Sequence, residues 1–96
     1  MTPAQRYQAL DDRINQIQDK HAPQPDHYAA VIDLTGLLTR LIARKKWRDA
    51  TTTKIKAHLA AHVHNPDLHR DLLEILHCFI GMIEIVIADP SVREEP

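Results

Sequence analysis

The chain has ninety-six residues and a formal net charge of −1, with 12 Lys+Arg against 13 Asp+Glu. That length leaves room for one domain, 1–96, and excludes a second, while the even charge balance singles out no partner. A single cysteine excludes an internal disulfide and makes a reducing cytoplasm the expected setting. The start of the chain lacks the apolar run of a signal peptide. A domain this short buries only about 60–65% of its unfolded surface, so it needs tight packing or a second copy.

The first helix is expected over 3–20. Thr2 suits the N-cap and Pro3 the first helical position. Tyr7, Leu10, Ile14 and Ile17 step by three, four and three, one seam of an amphipathic helix whose other faces are Gln, Asp, Arg and Asn. Two prolines in the run HAPQP, His21 to Pro25, then make a linker. A second helix is expected over 26–45 with Asp26 as its cap. Its seam is Val31, Leu34, Leu38 and Leu41, flanked by Tyr28, Ile32, Leu37 and Ile42. Gly36 interrupts it and is expected to mark a close approach of helices, since an interior glycine costs ~1 kcal/mol against alanine.

From Arg40 to Lys56 the character changes. Arg40, Arg44, Lys45, Lys46, Arg48, Lys54 and Lys56 place seven of the twelve basic residues around the only tryptophan, Trp47. The apolar register lapses there, which predicts a break near Lys46–Asp49 and a third helix over 49–64, capped by Asp49, with Ile55, Leu59 and Val63 inward. One long bent helix from Asp26 to His64 is the alternative, because no Gly or Pro enforces the break.

The last helix, expected over 66–88, organises the chain. Asn65 is a good N-cap, Pro66 fits the first position, Asp67 complements the positive end of the dipole and Pro90 stops the helix. One apolar stripe runs Leu73, Leu76, Ile80, Ile83, Ile87; a second runs Leu68, Leu72, Ile75, Phe79, Met82, Val86. The uncharged run Ile75–Ile83 contains His77 and then meets Glu84, too short for the ~20 apolar residues of a membrane span. A polar tail, 91–96, is expected to be disordered. The pattern predicts an all-α fold, a small bundle of three to four helices around a central apolar C-terminal helix. A dimer is expected as well. If the second stripe stayed uncovered it would expose roughly 500 Å² of apolar surface, which a two-fold axis beside Phe79, Met82 and Val86 would bury.

No motif identifies a catalytic or binding family. The basic stretch is the most functional-looking feature, and Arg40, Arg44, Lys45, Lys46, Trp47, Arg48, Lys54 and Lys56 are the expected partner-binding residues. Such cations match an acidic protein surface, or phosphates with the indole stacking on a base. A solvated helix end is the plainer explanation of the same residues. A helix-turn-helix with Thr51–His58 as reader is poorly supported, because its preceding helix is too long.

Five of the seven histidines lie between positions 58 and 77. His58 and His62 share a helical face, and a fold-back at Asn65–Pro66 could bring His69 opposite them as a metal site, with Asp67 or Asp71 as a fourth ligand. Glu74-x-x-His77 has the spacing of carboxylate-bridged di-iron bundles, and a dimer with Glu84 would be needed to complete such a site. Both patterns recur by chance, so no metal or other cofactor is expected. Cys78 sits among apolar residues that raise its pKa, and no Gly-rich phosphate loop exists, so no enzyme is expected. The sequence reading is a small cytoplasmic interaction protein of adaptor or inhibitor type. A protein partner is placed ahead of a nucleic acid, a metal-binding role is the alternative, and no membrane is involved.

Overall fold

A computed structural model describes residues 2–44 and 49–93. Four helices, α1 (Pro3–His21), α2 (Pro25–Arg44), α3 (Asp49–Ala61) and α4 (Pro66–Ala88), are followed by a 3₁₀ turn, Pro90–Arg93. The all-helical class is as the periodicity predicts. Helix α1 opens with a full capping box: Thr2 Oγ1 accepts from the Gln5 amide at 3.1 Å, and Gln5 Oε1 accepts from the Thr2 amide at 2.9 Å. In α2 the first position is taken by Pro25, whose missing N–H costs nothing there, and Asp26, the expected cap, lies inside the first turn.

Helix α3 stops at Ala61 rather than His64. The amides of His62, Val63 and Asn65 bond three residues back, so the chain tightens into turns before Pro66. Asn65 then caps α4, its side-chain oxygen accepting from the Leu68 amide at 3.3 Å. The tail also differs from expectation. Asp89 accepts from both the amide and the hydroxyl of Ser91, and Val92 is buried against the bundle, so Ser91–Arg93 is ordered as a 3₁₀ turn. Residues 94–96 of that tail lie outside the described residues.

The core is built chiefly from α1, α2 and α4, with α4 packed most extensively against α1 and next against α2; α3 rests on α2 and more lightly on α4. Ile14 and Ile17 of α1 meet Val31, Leu34, Leu38 and Leu41 of α2, and Leu72, Ile75 and Phe79 of α4, in one cluster. Each such side chain contributes about 1.5–3 kcal/mol when removed from water. Helices α1 and α4 run antiparallel, as Leu10 beside Gly81 and Lys20 beside Asp71 require. A Cβ on Gly81 would lie 3.0 Å from Leu10 Cδ1, so this glycine is where two helices approach closely. At Gly36, where close approach was expected, nothing lies within 4 Å of a built Cβ.

The break between α2 and α3 is a fold-back. His58 Nε2 donates to the Ala30 carbonyl at 2.8 Å. In one continuous helix those residues would stand ~42 Å apart at 1.5 Å per residue. The single bent helix is therefore excluded. No helix of the described residues is long and apolar enough to cross a membrane.

Candidate functional site

The expected partner surface is placed in part. Arg40, Lys54 and Lys56 are exposed; Lys45, Lys46, Trp47 and Arg48, together with the Arg44 side chain, lie outside the described residues. Arg40 closes one end of a shallow groove of about 340 Å³ on the outer face of α2, formed with Ile32, Asp33, Gly36 and Leu37. The open space over Gly36 is the floor of this groove. Exposed Ile32 and Tyr28 extend an apolar strip toward the other end of the helix.

The histidines gather differently from expectation. His58 and His62 do share a face, their rings 5.0 Å apart and edge-on, and His64 follows at 6.5 Å from His62. His69 does not join them. It lies on the outer face of α4 and lines a separate groove with Val63, Pro66 and Leu73. The reason is the early end of α3, which puts His62–His64 in the turn and leaves α4 to start on a new axis. The ligand set His58, His62, His69 is thus not assembled. Among the described residues no group of three or more His, Cys, Asp or Glu is placed to hold a metal ion. His62 is instead held below the ordinary histidine pKa, first by burial and then by repulsion from His58, His64 and His27.

The Glu74-x-x-His77 pair is also diverted. Both carboxylate oxygens of Glu74 accept from the Arg13 guanidinium of α1, Nη2 at 3.0 Å and Nε closer, and this pairing pulls the Glu74 pKa down. His77 faces solvent. Cys78 is buried, and burial, followed by the nearby Glu74 charge, raises its thiol pKa. A thiol held in that state is a poor nucleophile.

Phe79, Met82 and Val86, expected at a dimer interface, are 4, 2 and 1% exposed in the single chain. Phe79 and Met82 pack in the core shared with α1 and α2, and Val86 is as deeply buried, so the three offer no surface to a second copy. The adjacent stripe of α4 is the less covered one: Ile80 and Ile87 are 37 and 60% exposed, whereas Leu73, Leu76 and Ile83 are half-buried. Val63, just before the start of α4, is exposed as well.

Sequence reasoning missed a buried polar contact that ties the turns at one end of the bundle together. Asp71, on α4, is buried beside buried His21, whose Nε2 donates to Asp71 Oδ2 at 2.7 Å; Lys20 Nζ reaches the same oxygen at 2.7 Å. Burial alone would raise the Asp71 pKa, but the hydrogen bonds from Lys20 and His21 outweigh it and hold the carboxyl below its ordinary value. Next to it, the Asn65 side-chain amide donates to His27 Nε2 at 3.1 Å, and the rings of His21 and His27 lie 5.6 Å apart. The sequence offers Asp71 only as one polar residue among several on the last helix. Its partners lie fifty or more residues away: Lys20 ends the first expected helix, and His21, which reads as the start of the linker, is in fact the last residue of α1. The chain matches no family model, and no curated protein or solved structure matches it.

Proposed function

We propose that this is a small non-catalytic interaction protein, of adaptor or inhibitor type, that binds an acidic helical segment of a protein partner along the outer face of α2 and the adjoining basic stretch. One observation carries the reading. Gly36 sits in the interior of α2 with nothing within 4 Å of its missing Cβ. An interior glycine costs ~1 kcal/mol relative to alanine, and this chain gains no packing in return. The space is of use to a neighbour whose backbone comes close. Exposed Ile32 and Tyr28 offer that neighbour apolar contact, and exposed Arg40 marks the end where its acidic side chains fit. Arg44, Lys45, Lys46, Trp47 and Arg48 follow directly in sequence, and Lys54 and Lys56 add exposed charge on α3. The buried, unpaired Cys78 suits a reducing cytoplasm.

The test is capture of partners from host lysate on the full chain, compared with Gly36→Leu and with the triple variant Arg40→Glu, Lys54→Glu, Lys56→Glu. The reading expects both variants to fold normally and to lose the captured protein. Retention by both would remove this face from consideration. Capture of nucleic acid instead, with affinity falling steeply as salt rises, would move the basic stretch to a phosphate-binding role.

A further inference from the structure

The uncovered face of α4 has a pattern that the α2 groove does not explain. Leu73, Leu76, Ile80, Ile83 and Ile87 step by three, four, three and four, the spacing of a two-helix seam. Within this chain Leu76 and Ile83 pack partly against the core, whereas Ile80 and Ile87 remain exposed. Alongside the seam a second row steps by seven: Arg70, His77, Glu84, all three exposed. The row is cationic at its N-terminal end, anionic at its C-terminal end, and centred on His77. The shape along α4 is just as unequal. Its N-terminal end carries an open groove of about 470 Å³ walled by Val63, Pro66 and Leu73, and its C-terminal end carries the projecting Ile87.

We infer that this face binds a second copy of the chain, α4 against α4 in antiparallel, about a two-fold axis beside His77. The two-fold operation inverts the row, so Arg70 of each copy meets Glu84 of the other and His77 lies beside its own equivalent. The same operation sets Leu73 opposite Ile83 and Leu76 opposite Ile80, and carries the projecting Ile87 to the groove at Val63 and Pro66. Charge, seam and shape thus complement themselves under one operation, as an isologous interface requires. Among the described residues Arg70 has one ion pair, an exposed contact to Asp67 at 2.5 Å within its own helix. No ion pair reaches Glu84 among the described residues. Both charges are therefore available to the other copy. The α2 groove lies on a different helix and takes no part, so the two surfaces stand or fall separately.

Sedimentation equilibrium of the full chain, with circular dichroism to confirm folding, tests the arrangement. The unmodified protein is expected to be a dimer at micromolar concentration. Arg70→Glu and Glu84→Arg each bring like charges together twice per dimer and should weaken it on the order of tenfold or more. Mixing the two variants, or combining both changes in one chain, should restore the dimer, because opposite charges then face each other again. A folded monomer for the unmodified protein at 100-fold higher concentration would overturn the inference. So would a dimer indifferent to the single reversals, or one that neither the mixture nor the double variant restores.

Discussion

The two apolar stripes of α4 look alike in composition and spacing, yet they have opposite surroundings. Leu68, Leu72, Ile75, Phe79, Met82 and Val86 are all buried by α1, α2 and their neighbours. Ile80 and Ile87, a short way around the same helix, are open to solvent. Helical periodicity says that a face is apolar; it does not say what covers it. Covering is decided by the partners' charges and small residues. The Arg13–Glu74 pair, the Lys20–Asp71 pair and the gap at Gly81 set α1 against one flank of α4, and the outer seam is what remains.

The most direct way to break the comparison is to damage each stripe in turn. Phe79→Ala is expected to cost about 3–5 kcal/mol, through lost burial and the cavity left behind. For so short a chain that is a large share of total stability. Ile87→Glu should leave the fold within about 0.5 kcal/mol when the protein is dilute enough to be monomeric. Urea melts followed by circular dichroism read both. Equal losses in the two variants would mean that the stripes are not different in kind.

Next in size is the contact that fixes α4 against the α1–α2 junction. Asp71→Ala should cost about 3 kcal/mol, because it leaves His21 buried without its acceptor. The acid side of the stability profile tests the same contact. The Asp71 carboxyl is held below its ordinary value of 3.8, so its contribution is present above that pH and is lost as pH falls through the lower, folded value. Thermal melts between pH 5 and pH 2 should show a larger loss in the unmodified protein than in Asp71→Asn, which keeps only the remaining carboxylate contributions such as that of Glu74.

The two glycines sharpen the contrast between open and closed surfaces. Gly36→Ala should stabilise the chain by up to about 1 kcal/mol, since the added methyl meets nothing and the unfolded chain loses freedom. Gly81→Ala should gain less or lose stability, as the methyl presses on Leu10 at 3.0 Å. The smallest expected effect belongs to His62. Its folded pKa lies below 6.5, so the unfolded chain takes up the proton more readily, and stability declines as pH drops below 6.5. His62→Gln should flatten this slope in melts between pH 7 and pH 5.

Much of the fold is legible in the residues, because caps act locally. Thr2 with Pro3, and Asn65 with Pro66, declare two helix starts in a few positions each. The α2–α3 break was legible only as a lapse of apolar register through Lys45 and Arg48. The sites were harder to read, for a physical reason. His21 and Asp71 meet across fifty residues of chain, and nothing local to either one encodes the other. His69 has the right spacing to join His58 and His62, but its side of α4 depends on where α3 ends, a matter of one turn. Gly36 and Gly81 read alike as interior glycines, and only the position of α1 distinguishes them.

The antiparallel pairing of α1 with α4 has a consequence for synthesis. Of these four helices, the first to leave the ribosome has its largest contact with the fourth. At about 5–20 residues per second, the nascent chain spends seconds with Ile14 and Ile17 open on the side that α4 will cover and with α2 lacking its main neighbour. No subset of the first three helices encloses the core, so folding waits for α4 rather than proceeding helix by helix. Ribosomes stalled between α3 and α4 would present an adhesive, protease-sensitive chain, and a holdase chaperone would find its substrate there.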